Sequence, residues 1–420
     1  RRNMQVLTQS ERSYVCPHCD ALQTVPEFKP GYITSCVSCG STLFKSPVNG
    51  IEKSLALVIT SIILFIVANS YPIMSLNIAG NESNATLTDS ALIFVEQGNS
   101  ILAATVWLPT VLIPGAIIFG LFYILVSIYY DLRWPYTKFI LVWVSRLLPW
   151  GMMDVFFLGI LVALVKLVAL ADVLLGTGFY AFLALIFTYA ATIATLEPYL
   201  LWIKLDDHYD QQHEINYEDN INRAKNLGLA GCHTCGLVVE LLSQSDAVCP
   251  RCHSKVYYRK QNSLTRTWAL LISAFIMYIP ANTEPIMFTT SLGAQYSSTI
   301  MGGVQYFLSH NEWHLAIVIF IASVLIPLAK MISIGYILIM INLGKTRHKI
   351  ENTRLYMLAE LIGKWSMVDV FVVALMSALV QVGAITTIEP GPAGLAFAAV
   401  VILTMFAAMS FDPKLIWDQE

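Results

Sequence analysis

Eight cysteines carry the most definite chemistry in the chain, and all eight fall in Cys-x-x-Cys pairs. Cys16-Pro17-His18-Cys19 is followed after sixteen residues by Cys36-Val37-Ser38-Cys39-Gly40. Cys232-His233-Thr234-Cys235-Gly236 is followed after thirteen residues by Cys249-Pro250-Arg251-Cys252. Two such knuckles joined by a short β-hairpin bring four thiolates into a tetrahedron, the arrangement Zn²⁺ takes in closed structural sites. The spacing therefore predicts two structural zinc sites, each with four cysteine ligands. Iron in a rubredoxin-like site, a redox-active dithiol and a disulfide framework are the competing readings, the last disfavoured in a reducing compartment. Four protein ligands leave no open catalytic position, and His18, His233 and His253 read as bystanders.

A second set of residues stands out by where it sits. Lys330 lies about 12 residues inside an apolar run, roughly 18 Å of helix from its inner end. A charge at mid-bilayer costs at least ~2.5–3.5 kcal/mol, so it calls for a partner or a task. Ser323 and Ser333 share a helical face with Lys330. Ser366 and Asp369 share a face at the start of the next run, and Thr404 interrupts the last one. These groups predict a polar seam in which Lys330 and Asp369 form a charge pair or proton relay. An inert ion pair that fixes helix packing is the plainer alternative. Lys166, near the outer end of its run, is expected to snorkel.

The elements that must position both sets follow from composition. The 420 residues are 56% hydrophobic and only 13% charged, with mean hydropathy +0.63, where a soluble domain carries about 25% charge. Apolar stretches near 20 residues long recur, each enough to cross a hydrocarbon core. A net charge of −3 gives no footing for nucleic acid. A polar stretch of about fifty residues precedes the first apolar run, so no cleavable signal peptide is expected ahead of it.

The chain also repeats itself. Ala68-Asn69-Ser70-Tyr71-Pro72-Ile73-Met74 returns as Ala281-Asn282-Thr283-Glu284-Pro285-Ile286-Met287. Leu112-Ile113-Pro114 returns as Leu325-Ile326-Pro327, and Trp150-Gly151-Met152-Met153-Asp154-Val155-Phe156 as Trp365-Ser366-Met367-Val368-Asp369-Val370-Phe371. Glu197-Pro198 and Asp412-Pro413 close the two copies. The offset is 213 or 215 residues throughout. Asp154 matches Asp369, but Ile117 stands opposite Lys330, and Gly151 and Tyr189 stand opposite Ser366 and Thr404. The copy with the buried charge is thus expected to be the working one.

Four spans are expected per copy, near 55–74, 103–130, 150–173 and 178–202, then near 264–288, 314–342, 366–385 and 393–412. Basic amphipathic stretches near 133–149 and 346–364 join the second and third spans and suit interfacial helices. Short helices are expected on the outer face, around Leu92 to Val95 and around Ile300, Met301, Val304, Phe307 and Leu308. Apart from Lys166 and Lys330, every Lys and Arg lies in a ribbon, a connector between second and third spans, the central linker or a chain end. Positive loops stay cytoplasmic, which places both ribbons and both termini there. The fold expected is an all-α polytopic membrane protein with two parallel tandem repeats of four transmembrane helices. Each repeat is preceded by a small cytoplasmic β-rich zinc ribbon. The divisions are ribbon 1 at 1–50, four spans at 51–204, an acidic linker at 205–224, ribbon 2 at 225–262 and four spans at 263–420.

The order ribbon, spans, ribbon, spans, with the Pro-Ile-Met repeats and the Trp-Ser-Met-Val-Asp-Val-Phe block, resembles the paraquat-inducible protein A family of Gram-negative bacteria over essentially the whole chain. The resemblance implies a bacterial inner-membrane subunit that exchanges lipids or other hydrophobic molecules with a periplasmic MCE-domain tunnel protein and supports envelope integrity. It also implies an outer-membrane lipoprotein reached through that tunnel. On that reading Ser323, Lys330, Ser366, Asp369 and Thr404 are the coupling candidates, and membrane lipids are partners. No enzyme is expected: no nucleophile–base pair occurs in the spans, and Gly344-Lys345-Thr346 lacks the glycine five positions earlier that a Walker A loop needs. A membrane-anchored cytoplasmic zinc or redox sensor is the alternative function.

Overall fold

The computed structural model describes residues 12–25, 31–78, 81–132, 134–168, 172–205, 223–241, 247–291, 294–309, 311–344, 348–379, 381–382 and 386–418. Four short strands, β1 (Arg12–Val15), β2 (Leu22–Val25), β3 (Ile33–Ser35) and β4 (Thr42–Lys45), form two antiparallel hairpins around the first cysteines. Asn49, in the left-handed region that Asn tolerates, then turns the chain into α1 (Gly50–Ser70). The helix stops two residues short of Pro72, because proline removes a donor and restricts the residue before it. The chain continues through β5 (Met74–Ile78), β6 (Asn81–Ala85), α2 (Asp89–Glu96) and α3 (Ser100–Trp107). A π-helical turn, Leu108–Leu112, joins α3 to α4 (Ile113–Tyr129). Then come α5 (Thr137–Leu147), a 3₁₀ turn (Leu148–Trp150), α6 (Met153–Val168), β7 (Asp172–Leu175), α7 (Thr177–Thr195) and α8 (Pro198–Leu205).

The second half runs in the same order. A 3₁₀ turn (Ala224–Leu227) and the strands β8 (Leu229–Gly231), β9 (Val238–Glu240), β10 (Ala247–Val248) and β11 (Lys255–Val256) surround the other cysteines. Asn262, again left-handed, opens α9 (Ser263–Thr283). After it lie β12 (Met287–Ser291), β13 (Ala294–Ser298), α10 (Ile300–Ser309) and α11 (Trp313–Phe320). A π turn (Ile321–Leu325) leads into α12 (Ile326–Asn342), then α13 (Lys349–Ile362), a 3₁₀ turn (Gly363–Met367) and α14 (Val368–Leu379). The described chain ends in β14 (Gln381–Val382), β15 (Thr386–Pro390), α15 (Pro392–Ser410) and a 3₁₀ turn (Pro413–Ile416).

Among the described residues, seven helical stretches are long and apolar enough to cross a bilayer: 50–70, 100–129, 137–164, 177–195, 263–283, 316–342 and 392–410. Ile59, Ile63 and Ile66 of α1, and Ile272, Phe275, Ile276 and Ile279 of α9, are exposed, the outward apolar stripe of a lipid-facing helix. The structure shortens several expected spans. Where 366–385 was expected as a full span, the described residues form the end of a 3₁₀ turn, the 12-residue α14 and then β14. The runs expected to reach 74 and 288 end as helix at Ser70 and Thr283.

Sheets account for the difference, and apolar run length did not reveal them. At the end of the bundle away from the ribbons, β6-β5-β7 make one antiparallel sheet and β13-β12-β15-β14 another. The repeated Pro-Ile-Met block starts each. Gly176 donates its N–H to the Ile73 carbonyl at 2.9 Å, and Gly391 to Ile286 at 2.8 Å. A Cβ on either glycine would overlap the carbonyl of Pro72 or Pro285. The short helices expected here are α2 and α10; Ile300, Val304 and Phe307 point inward, Met301 and Leu308 outward. The halves meet through α6 and α14, where the Phe156 and Phe371 rings lie 5.3 Å apart. Gly159 admits the Phe371 Cβ there, with the Val368 and Val372 backbone just behind it.

Candidate functional site

Each ribbon gathers its four cysteines. The sulfur atoms of Cys16, Cys19, Cys36 and Cys39 all lie within 4.8 Å of one another, as do those of Cys232, Cys235, Cys249 and Cys252. Pairs such as Cys19–Cys36, Cys232–Cys252 and Cys235–Cys249 sit at 3.5 Å. A disulfide needs about 2.05 Å, whereas a tetrahedral ion with ~2.3 Å metal–sulfur bonds sets sulfurs about 3.8 Å apart. The donor set therefore fits a four-coordinate metal. Hydrogen bonds from Cys16 and Cys19 pull the Cys36 thiol down to about 6. Those from Cys232 and Cys235 pull Cys249 down to about 7. The same coupling pushes the Cys16, Cys19, Cys232 and Cys235 thiols up, so protons are shared unevenly within each cluster.

One backbone rule builds all four knuckles. The first cysteine N–H of each pair bonds a carbonyl five residues on, as from Cys16 to Ala21 and from Cys36 to Ser41. The residue after the second cysteine takes a left-handed turn: Asp20 (φ 63), Gly40 (φ 72), Gly236 (φ 75) and His253 (φ 56). Two knuckles use glycine, as that conformation favours. His253 is simply the turn residue of the fourth. His233 packs on Tyr257, and burial pushes its pKa down to about 4, keeping it neutral.

Asp20 explains itself by its surroundings, which sequence reasoning missed. Its carboxylate accepts from the Lys414 ammonium at 3.0 Å, both side chains almost fully buried, and from Arg259 at 3.0 Å. Arg259 also grips Asp418 at 2.5 Å, and Lys225 lies 3.7 Å from Asp418. Burial works against charge on Arg259, but Asp418 and Asp20 outweigh it and hold its pKa above the usual range. Burial likewise disfavours the Asp418 anion, yet Arg259 holds that carboxyl below its usual value. The only visible signal was a carboxylate where two of the other knuckles carry glycine.

These bonds cross the halves. The cysteines of ribbon 1 share a hydrophobic cluster with Leu271, Ile337, Phe411 and Trp417 of the second half. Those of ribbon 2 share one with Leu201 and Trp202, at the end of the first, where Arg251 donates to the Trp202 carbonyl. Each ribbon also holds the tail of its own half: Lys45 N–H bonds Glu197 at 3.0 Å, and Lys260 N–H bonds Asp412 at 2.9 Å. That is the work of the repeated acid–proline closings. Tyr14, Phe44 and Tyr199 complete the joint.

In the second bundle Lys330 is 4% exposed and Ser323 and Thr404 are buried. Ser323 donates to the Ile319 carbonyl (2.7 Å) within the π turn, and Thr404 to Val401 (2.9 Å). The Lys330 ammonium lies against Gly363, where any Cβ would collide with it. Among the described side chains, Glu360 is the acidic one that acts on it electrostatically. The helix of Lys330 packs on the 363–367 turn and on α15, and the π turn packs on α14. The backbones bearing all five expected residues thus converge, while the side chains of Ser366 and Asp369, like that of Lys166, lie outside the described residues.

The first half shows the matching positions in full. A Cβ on Gly151 would lie 3.0 Å from the Tyr189 hydroxyl and 3.6 Å from Ile117, so the counterparts of Ser366, Thr404 and Lys330 meet at one point. Thr110, the counterpart of Ser323, donates to Val106 at 2.6 Å in its own π turn.

Seven membrane-length helices and two four-cysteine clusters among the described residues define a multi-span membrane protein with paired metal-binding ribbons. The sequence profile of the family described as paraquat-inducible protein A matches residues 51–206 and 264–420. The intermembrane transport protein PqiA of Escherichia coli K12 is 32% identical over 97% of this chain and 95% of its own. The chain belongs to the paraquat-inducible protein A family. It is also 27% identical to the lipophilic envelope-spanning tunnel protein A of Escherichia coli K12, over 96% of this chain and 90% of that one. A probable intermembrane transport protein of Haemophilus influenzae is 28% identical over 96% and 95%. No solved structure matches the chain.

Proposed function

We propose that the protein is the inner-membrane subunit of an intermembrane transport system for lipids or other hydrophobic molecules, with the second bundle as its working part. The observation that carries the reading is Lys330, enclosed at mid-span where the turns bearing Ser323 and Ser366 pack together with α14, which bears Asp369, and the helix bearing Thr404. A cation held there is retained against its insertion penalty, and the first half has Ile117 in its place. The names of the relatives, as intermembrane transport proteins, support the same class. Lys330 and Asp369 would change protonation or engage a headgroup as cargo passes to the periplasmic partner, an MCE-domain tunnel protein by family resemblance.

The same reading treats the chain as a tandem duplication with divisions at 1–50, 51–204, 205–224, 225–262 and 263–420. Both ribbons and termini lie in the cytoplasm on charge grounds, and each ribbon holds one structural zinc. Lys330→Ala and Asp369→Ala should each abolish complementation of an envelope defect at normal protein levels, and full complementation by both would remove the relay. The sensor alternative has the buried sulfurs against it; zinc retained and thiols unchanged after oxidant treatment would exclude it.

A further inference from the structure

At the ribbon end of the first half lies a groove of about 1520 Å³, larger than the roughly 300–1,000 Å³ of an ordinary small-molecule pocket. Four elements build it: the end of α4 supplies Ser127, the turn and helix α5 supply Trp134, Lys138, Trp143 and Arg146, α8 supplies Lys204, and ribbon 2 supplies His253 beside Cys252. Among the described residues, three Lys and Arg side chains line it against a single carboxylate, Asp131. The helix is strongly amphipathic: Leu141, Val142 and Val144 pack inward while Phe139 and Trp143 stand out. Aromatic rings beside Lys and Arg at the end of spanning helices are the pattern of a membrane interface. The counterpart helix α13 is different, because it adds Glu351 and Glu360 to Lys349 and Arg354.

We infer that this groove binds the phosphate-bearing headgroup of an anionic phospholipid from the leaflet on the ribbon side. Lys138, Arg146 and Lys204 meet the phosphate, Trp134 and Trp143 lie along the glycerol and upper chains, and the lipid bridges α5 to ribbon 2. The inference rests on the proposed placement of the ribbon end at the bilayer surface, and not on transport through Lys330.

The test uses the full chain in nanodiscs of phosphatidylcholine with a minor fraction of phosphatidylglycerol bearing a photoactivatable headgroup. Crosslinks are expected in the peptides containing Trp134 to Arg146 and Lys204, with phosphatidylglycerol retained in native mass spectrometry. At about 1 kcal/mol per basic residue, Lys138→Gln/Arg146→Gln/Lys204→Gln should weaken retention roughly 100-fold. Lys349→Gln/Arg354→Gln on the other connector should leave it unchanged. Zinc content reports that each variant is folded, and the wild-type crosslink decides the matter where the triple variant is not. Equal crosslinking by phosphatidylcholine, displacement of the lipid by millimolar inorganic phosphate, or undiminished retention by a folded triple variant would overturn the assignment.

Discussion

The centres of the two bundles differ by an exchange of volume. In the first, Ile117 is fully buried and the partly buried Leu148 packs nearby. At the matching places in the second stand Lys330 and Gly363, and the lysine chain occupies the space the glycine leaves open. The scaffold around both points is otherwise alike: a π turn with a hydroxyl bonded one turn back, then a proline, a 3₁₀ turn and an acidic residue opening the next helix. The buried cation thus goes with several exchanged neighbours, Gly363 for Leu148, Thr404 for Tyr189 and Ser366 for Gly151, while the helices stay in place. The comparison also separates two kinds of charge, one enclosed at mid-span and one that binds the ribbons together below.

The largest effect is expected at the two four-cysteine sites. Zinc binding in zinc-finger folds is worth about 10–16 kcal/mol, so with the proposed zinc as ligand partner Cys36→Ser/Cys39→Ser should unfold ribbon 1. Because that ribbon packs beneath the second half, hydrogen exchange should accelerate from Tyr356 to Trp417 while α4 is unaffected. Cys249→Ser/Cys252→Ser should instead loosen the region of Trp202. Loosening confined to each ribbon's own half would refute the crossed arrangement.

Next in size, Asp20→Ala leaves Lys414 buried without its carboxylate and should cost about 3–5 kcal/mol, read as a lowered melting temperature in detergent. Lys414→Met in the same chain should restore much of it. Ile117→Lys asks the first bundle to hold what the second holds; at least ~2.5–3.5 kcal/mol of destabilisation is expected, partly relieved by Leu148→Gly. A stable Ile117→Lys single variant would show that the neighbour is irrelevant. Smallest is Gly363→Ala, about 1–3 kcal/mol from overpacking, and this penalty should vanish in a Lys330→Ala background. An additive double-mutant cycle would place the two residues out of contact.

Much of this was legible in order along the chain. Cys-x-x-Cys spacing identified both ribbons because four soft ligands in a tight turn leave few alternatives. Apolar run length identified the bundle because a hydrocarbon core tolerates little else. The outer sheets were not legible. Met74–Ile78 alternates apolar and polar residues and Met287–Ser291 turns polar after Phe288, but both directly follow apolar runs, and half of their pairing is with β7 and β15, far downstream in the chain. Nor was the role of Asp20, whose partners Arg259 and Lys414 both lie in the other half.

Local spacing thus settles which atoms are available: eight sulfurs, a lysine in an apolar run of the second half, a basic helix in the first. Which of them meet is a matter of chain crossing, and here each metal ribbon rests on the opposite half. No periodicity encodes that choice, because it depends on buried charge finding its counter-charge across the whole molecule, where low polarity makes an unpaired group costly and a matched one binding.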